Sequence, residues 1–119
     1  MDALTETSLP LPLFQRGKVR DIYDLGDELL IVSTDRISAL DFVLPAGVPE
    51  KGRVLNQMSA FWFQETAGIM PNHVVKAIDD VSQLDAYIPA ESRFPYPTYL
   101  EGRSMVVKKV ERVSAECVV

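Results

Sequence analysis

The chain has 119 residues, of which 47% are hydrophobic and 24% are charged, and these values are typical of one soluble globular domain. Its formal charge of −5 argues against a nucleic-acid partner or a membrane surface bound through bulk electrostatics, but it allows a local basic pocket for a small phosphorylated ligand. The single cysteine, Cys117, permits no internal disulfide and indicates a reducing, cytoplasmic location.

The two ends of the chain carry different signals. Residues 1–12 are predicted to form a flexible leader on the surface, because Pro10 and Pro12 block a helix and favour an extended chain. They lack the basic flank and apolar run of a signal peptide. Residues 115–119 resemble a strand without a turn or cap after it, so we expect the chain to be the front portion of a longer protein.

The sequence of residues 13–32 predicts a β-hairpin. Short strands are expected over residues 13–16 and 19–25, and the turn residues 25–27 follow them. The continuous apolar run at residues 29–32 predicts the second strand of the hairpin, buried on both faces.

A polar loop and a helix come next. Residues 34–41 are polar, and Pro45, Gly47 and Pro49 predict an irregular segment after them. Between residues 51 and 66, apolar residues recur at three- and four-residue spacing, which predicts a helix with one apolar face. The residues of this stripe are Val54, Leu55, Met58, Phe61 and Trp62.

The last third returns to strands. Strands are expected over residues 74–78 and 105–110, and a partner strand is expected to begin at residue 116. Between them, residues 81–87 predict a short helical turn and residues 89–102 a long loop with three prolines. The whole pattern predicts an α+β fold with a mostly antiparallel sheet and one main helix.

Gly17-Lys18 is the first candidate site. A glycine beside a lysine at a strand edge lets backbone N–H groups and one ammonium approach a polyphosphate. However, neither of the two standard glycine-rich nucleotide motifs is present. From the pair alone, a surface turn with a solvated lysine is the more frequent outcome.

The loop after the apolar strand is the second candidate site. Arg36 can bind a carboxylate or phosphate with two parallel hydrogen bonds, and Ser38 can donate to an oxygen. Asp35 and Asp41 can orient those groups or accept from an amine. A capped turn with a local ion pair explains the same spacing equally well.

Other residues carry weaker signals. His73 has no second histidine or cysteine nearby, which argues against a metal site. The aromatic residues 61–63 are interpreted as core packing, and Cys117 as a small buried hydrophobe. Lys108 and Lys109 project to opposite faces of a strand, so one of them can enter a cleft.

Six ordered blocks of the sequence resemble the family of phosphoribosylaminoimidazole-succinocarboxamide synthase, the SAICAR synthetase of purine biosynthesis. Together they extend over nearly everything from Gly17 to the end, which makes them more specific than any single block. The blocks are GKVRDIY at 17–23, STDRISALD at 33–41, KGRVL at 51–55, FWF at 61–63, EGRSMVVKK at 101–109 and ECVV at 116–119.

The resemblance implies an ATP-dependent carbon–nitrogen ligase that joins L-aspartate to carboxyaminoimidazole ribonucleotide, giving SAICAR, ADP and phosphate. It also implies transfer of the γ-phosphoryl group to the substrate carboxylate, followed by attack of the aspartate amine. Such chemistry depends on positioning and on charge stabilisation by Mg²⁺ and basic groups. By this resemblance, residues 13–119 are a kinase-like N-terminal ATP-binding domain, and the Mg²⁺ ligands are expected outside this chain.

The resemblance also implies which residues bind the ligands, without assigning a catalytic residue or a metal ligand within the chain. The ATP contacts are expected at Gly17, Lys18, Val19, Arg20, Lys108, Glu111, Arg112 and Val113. The contacts to the ribonucleotide and aspartate are expected at Asp35, Arg36, Ser38 and Asp41. Three positions depart from the family's usual pattern, at Leu40, Glu50 and Ser114.

Two further hypotheses stay open. The family's pattern continues past Val119 with residues that bind the substrate phosphate and Mg²⁺, so residues 1–119 alone are expected to be inactive. A non-catalytic nucleotide-binding module is therefore the main alternative. A purely structural α+β domain would require all six blocks to be coincidental.

Overall fold

The structure, a computed structural model, describes residues 2–115 and residue 118. The elements are β1 (Leu13–Arg16), β2 (Arg20–Asp24), β3 (Glu28–Ser33), β4 (Arg36–Ala39), β5 (Phe42–Gly47), α1 (Lys51–Glu65), β6 (Val74–Ile78) and β7 (Ser104–Lys108). At the centre is a five-stranded sheet in the spatial order β1-β2-β3-β7-β6, in which every pairing is antiparallel. A two-stranded antiparallel hairpin, β4-β5, one long helix, α1, and short 3₁₀ turns are the other regular elements of the described residues. The predicted α+β fold is confirmed.

The β2-β3 hairpin forms as its sequence predicts. Gly26 has a φ of 106°, a left-handed conformation that glycine adopts without a steric penalty, and its N–H donates to the Asp24 side chain at 2.8 Å. In β3, Leu30 is fully buried on one face of the sheet and Ile31 is 7% exposed on the other. The strand is therefore buried on both faces, as its continuous apolar run predicts.

The two faces of the sheet are covered differently. On one face, Tyr23, Leu30 and Val106 lie opposite one another across β2, β3 and β7, and they pack against Leu84 and Leu100 from the segment between β6 and β7. That segment contains the predicted helical turn as a 3₁₀ helix, Val81–Ala86, capped by Asp80, and two shorter 3₁₀ turns at Ala90–Ser92 and Thr98–Leu100. The second face has a smaller apolar cluster of Ile31, Met105 and Val107. The partner strand predicted from residue 116 falls on residues 116, 117 and 119, outside the described residues.

The N-terminal leader is part of the core, so the prediction that it lies on the surface is wrong for its middle. Thr7 is 1% exposed and Leu9 is 8% exposed, and Leu9 belongs to the larger apolar cluster. The backbone of Leu4 exchanges hydrogen bonds with Asp35, through Leu4 N to Asp35 Oδ2 at 2.9 Å and Asp35 N to Leu4 O at 2.7 Å. Prolines 10 and 12 exclude a helix here, but an extended chain can still be buried when its polar groups find partners.

The segment after residue 41 is also more regular than its prolines predict. Residues 42–47 form β5, which pairs with β4 in register Ser38↔Val43 and Ala39↔Phe42. The two strands are joined by Leu40 and Asp41, with φ values of 51° and 67°, the conformation of a tight hairpin turn. Pro45 is tolerated because a two-stranded hairpin leaves one side of each strand unpaired, so a missing N–H costs no ladder hydrogen bond there.

The predicted helix is confirmed, but its apolar stripe is not buried. α1 buries Gly52 and Asn56. Asn56 Nδ2 donates to Gly102 O at 3.1 Å, which fixes the helix to the loop before β7. By contrast, Phe61 is 54% exposed and Trp62 is 59% exposed, which corrects the interpretation of this aromatic cluster as core packing. Among the described residues, no helix has the length and apolar character needed to cross a membrane.

Candidate functional site

A groove of about 730 Å³ opens between the second face of the sheet and α1. The sheet side contributes Val19, Ile31 and Met105, and the helix side contributes Leu55, Met58 and Trp62. A groove of this size, with mostly apolar walls and a few polar groups, is the usual form of a small-molecule site. Three of the five exposed side chains of the α1 stripe therefore form a wall of this groove.

Two cations and four hydroxyl-bearing residues line the groove, and the four are Ser33, Thr34, Ser59 and Thr66. Arg20 and Lys51 supply positive charge, and Ser33 and Thr34 come from the end of β3. Among residues 2–115 and 118, the Arg20 guanidinium has no hydrogen bond or ion pair. An arginine without an internal partner beside an apolar groove is well suited to bind an anionic group of a ligand.

His73 lines the same groove beside Arg20. Its ring stands edge-on to Phe63 with the centroids 5.5 Å apart. Burial lowers the pKa of His73, and the positive charge of Arg20 lowers it further. The imidazole is therefore neutral at pH 7, and it presents a polar edge to the groove without adding charge.

The predicted ATP contacts divide into two groups. Val19 and Arg20 line the groove, and Gly17 and Lys18 directly precede them in the chain. Lys18 forms an ion pair with Asp41 at the tip of the β4-β5 hairpin, which lowers the pKa of the Asp41 carboxyl. The remaining contacts do not line the groove and lie on the exposed surface at the end of β7 and beyond, at Lys108, Glu111, Arg112 and Val113.

Asp35 is a buried anchor. It has no solvent exposure, and its carboxylate accepts from Arg103 Nη1 at 2.9 Å, Gly52 N at 2.8 Å and Leu4 N at 2.9 Å. Burial raises the pKa of Asp35, but these three donors outweigh it and hold the pKa below its ordinary value. The charged carboxylate satisfies an N–H in the first turn of α1, where a negative charge is favourable.

Arg36 is occupied within the chain as well. Its guanidinium donates to the carbonyl oxygens of Gly17, Lys18 and Thr5 and to the Asp21 carboxylate, at distances of 2.9–3.0 Å. Its side chain is 11% exposed. Asp35 and Arg36 thus have internal partners, and the expectation that they contact a ligand stays a prediction, as it does for Ser38 and Asp41.

Comparison with known proteins identifies the fold and the family. The model of the family described as SAICAR synthetase matches residues 13–119. The chain belongs to the SAICAR synthetase family. It is 52% identical over 116 residues to the phosphoribosylaminoimidazole-succinocarboxamide synthase of Geotalea uraniireducens, covering 98% of this chain and 37% of that protein. It is 49% identical over 119 residues to the synthase of the same name from Thermodesulfovibrio yellowstonii, covering 99% of this chain and 38% of that protein.

Solved structures of the same family have the same fold. The SAICAR synthase of Saccharomyces cerevisiae, complexed with SAICAR, superposes with a TM-score of 0.76 and 44% identity, covering 89% of this chain and 36% of that one. A second SAICAR synthase gives a TM-score of 0.74 and 43% identity, covering 92% of this chain. The chain thus spans somewhat more than a third of the length of the relatives it matches.

The described residues do not provide a metal site. No group of three or more histidine, cysteine, aspartate or glutamate residues is close enough together to hold an ion among residues 2–115 and 118. The two fully buried carboxylates, Asp21 and Asp35, are already surrounded by internal donors. Mg²⁺, which ATP chemistry in the SAICAR synthetase family implies, usually binds through one or two carboxylates together with substrate phosphates, so the position of its protein ligands stays a prediction.

Sequence reasoning missed several residues of the groove. The sequence indicates no groove position for Lys51 and Met105, which it places only in a helix and a strand and in two of the resemblance blocks, and it argues against His73 as a metal ligand without giving it another role. The groove brings them together across more than fifty residues of sequence. The exposed apolar stripe of α1 was a usable signal, since an apolar face that is not needed for the core can instead line a ligand site.

Proposed function

We propose that this chain forms the ATP-facing part of an ATP-dependent ligase of purine biosynthesis. The ligase joins L-aspartate to carboxyaminoimidazole ribonucleotide and gives SAICAR, ADP and phosphate. The observation that carries the proposal is the groove itself, where an apolar slot of about 730 Å³ adjoins the cations Arg20 and Lys51 and the Gly17-Lys18 turn. A nucleotide has a flat apolar base and an anionic polyphosphate, so it matches both parts of this arrangement.

We assign the base to the apolar part of the groove and the phosphates to its basic edge. Val19 and Met105 would contact the base, and Arg20 and Lys18 would bind phosphate oxygens. Lys18 would exchange its exposed ion pair with Asp41, which water screens, for the phosphate. The residues at the end of β7 and beyond, 108 and 111–113, would border the adenine edge from outside the groove.

The substrate side of the proposed site lies at the β4-β5 hairpin. Ser38 and Asp41 are available there, and Asp41 can accept from an ammonium group of aspartate once Lys18 has bound phosphate. Asp35 and Arg36 support this side from within. The described residues offer no cluster for Mg²⁺, so we place its protein ligands, and a large part of the substrate site, outside residues 1–119. A cytoplasmic location fits both the use of ATP and the single cysteine, Cys117.

Nucleotide binding is the first test. Isothermal titration of residues 1–119 with ATP and MgCl₂ should show saturable binding. Lys18→Ala should weaken it by about tenfold or more, because a charge-assisted contact to phosphate is lost. The matched control is Lys76→Ala, which removes the same charge from an exposed position on β6 outside the groove, and its affinity should stay within about twofold of wild type.

Turnover is the second test. ADP release is measured after ATP, L-aspartate and the ribonucleotide are added together. Turnover by this chain would establish the ligase directly. ATP binding without turnover is the result we expect from residues 1–119 alone, and it would also fit the second candidate, a nucleotide-binding module, which the absence of a metal cluster among the described residues favours. The absence of ATP binding would reject both candidates for this chain.

A further inference from the structure

Arg36 connects three separate segments of the chain. Nε donates to Lys18 O at 3.0 Å and Nη2 donates to Gly17 O at 3.0 Å, so one guanidinium holds both carbonyl groups of the Gly17-Lys18 turn. Nη1 donates to Thr5 O of the leader at 2.9 Å. The planar guanidinium suits this arrangement, because its donors are fixed in one fork and contact several acceptors at once.

The buried carboxylate of Asp21 fixes the position of Arg36. Asp21 has no solvent exposure, and its Oδ1 accepts from Arg36 Nη2 at 2.9 Å and from Arg16 Nε at 3.0 Å. Its Oδ2 accepts from Thr7 N at 3.0 Å and Thr7 Oγ1 at 2.7 Å. Thr7 Oγ1 also contacts the hydroxyl of Tyr23 at 2.7 Å. This network leaves the guanidinium little freedom to turn towards a ligand.

Among the described residues, few other contacts constrain the Gly17-Lys18 turn. Gly17 N donates to Arg20 O at 2.8 Å, and the Lys18 side chain makes contacts that include the exposed pair with Asp41. Just after the turn, Val19 O accepts from Thr34 N at 3.0 Å and from Thr34 Oγ1 at 2.6 Å. Arg36 alone binds both carbonyl groups of the turn itself, so the direction in which Lys18 leaves the backbone depends in large part on Arg36.

We propose that Arg36 is a positioning residue for the phosphate-binding turn, which acts on the ligand through Lys18 and makes no contact with the ligand itself. Asp21 and Thr7 hold Arg36 in place, so the N-terminal leader belongs to the support of the nucleotide site. This proposal rests on the ATP site proposed above and extends it to residues that sequence reasoning assigned either to substrate binding or to a loose leader.

The experiment compares ATP with adenosine, which has the base but no phosphates. Arg36→Lys keeps the charge but loses the fork that binds both carbonyl groups. We expect its affinity for ATP to fall by about tenfold, approaching that of Lys18→Ala, while its affinity for adenosine stays within about twofold of wild type. Arg53→Lys is the matched control, because Arg53 also pairs with a carboxylate and a backbone carbonyl, but at α1 and away from the turn. It should retain the full preference for ATP.

A double variant tests whether Arg36 acts through Lys18. If it does, Lys18→Ala with Arg36→Lys should bind ATP little more weakly than Lys18→Ala alone, because the lysine to be positioned is absent. Additive losses would instead indicate a direct contact between Arg36 and the phosphates and would overturn the proposal. Equal losses of ATP and adenosine affinity in Arg36→Lys would show a purely structural role and would overturn it too.

The remaining outcomes are equally decisive. If wild type prefers ATP over adenosine and Arg36→Lys keeps that preference, the positioning role is refuted while the ATP site stands. If wild type binds neither compound, the ATP site and the positioning role fall together. Should Arg36→Lys fail to fold, Thr7→Val removes one hydroxyl donor to Asp21 and loosens Arg36 more gently. It should then give a smaller loss in the same direction, and an unchanged preference for ATP would refute the role.

Discussion

α1 approaches the sheet closely at Gly52, and this contact gives a quantitative prediction for Gly52→Ala. A Cβ atom on Gly52 would lie 2.1 Å from Ser33 O and 2.8 Å from Arg103 Nη1, whereas such contacts essentially never fall below 3.0 Å. The first turn of the helix would have to retreat by about 0.9 Å, and the 2.8 Å hydrogen bond from Gly52 N to Asp35 would then exceed normal hydrogen-bond length.

The size of the effect follows from three contributions. Overpacking costs about 1–3 kcal/mol. The lost hydrogen bond to a charged, buried carboxylate costs about 1.5–3 kcal/mol. The higher helix propensity of alanine returns about 1 kcal/mol. We therefore expect Gly52→Ala to lower the free energy of unfolding by about 2–5 kcal/mol, a large fraction of the stability of a domain of this size.

Urea denaturation followed by circular dichroism measures this change. Gly68→Ala is the matched control, because a Cβ there meets nothing within 4 Å and its φ is not in the left-handed region, so we expect a change within about 0.5 kcal/mol. If Gly52→Ala is as stable as Gly68→Ala, then α1 does not lie against β3 in this way, and the groove between them would have to be reconsidered.

Three further predictions concern Asp21, Thr7 and the turn between β4 and β5. Burial raises the pKa of Asp21, but hydrogen bonds from Arg36 and Thr7 hold this pKa below its ordinary value. The charged carboxylate therefore stabilises the fold at every pH above the ordinary carboxyl pKa. This stabilisation is lost as the pH falls through the pKa of the folded state. Asp21→Asn should cost about 3–5 kcal/mol at pH 7 and should flatten the acid limb of the stability profile, and an unchanged limb would contradict this. Thr7→Val should lower the free energy of unfolding in urea by about 1–3 kcal/mol, because it leaves buried hydrogen-bond partners unsatisfied. Thr66→Val, at an exposed position, should leave the free energy of unfolding nearly unchanged. Equal effects of the two changes would contradict the burial of the leader. Leu40→Asn should stabilise the fold by up to about 1 kcal/mol and so raise the melting temperature, because asparagine tolerates the φ of 51° better than leucine does. A lower melting temperature would contradict the turn conformation.

Local patterns were sufficient for the β2-β3 hairpin and for the helix. The apolar run of β3 and the Gly26 turn are short-range signals, and the structure follows them closely. The leader was predicted wrongly because its partners are distant in sequence, and β5 was missed because its pairing with the neighbouring β4 outweighs the local signal of its prolines. Thr7 is buried by Asp21, and residues 42–47 are made regular by pairing with β4, neither of which leaves a mark in the local composition.

The chemistry of the polar loop was recognised by residue type but not by role. A sequence shows that Arg36 has five donors, but not that the acceptors are the carbonyl groups of Gly17 and Lys18. Likewise, the sequence indicates that Asp35 can orient neighbouring groups or accept from an amine, but not that its partners are Gly52 at the start of α1 and Arg103. Backbone groups are the same at every position, so their use as partners cannot be predicted from composition.

The apolar stripe of α1 shows the same limit for periodicity. A helical repeat of apolar residues establishes that a helix has an apolar face, but not which surface covers that face. Here the helix contacts the sheet through Gly52 and Asn56, because a close approach requires a residue without a side chain and because Asn56 satisfies the carbonyl of Gly102. Part of the apolar stripe therefore lines the groove, where Leu55, Met58 and Trp62 face the sheet across the space that we assign to the nucleotide base. A residue pattern that normally stabilises a core is used at this position to form one wall of a binding site.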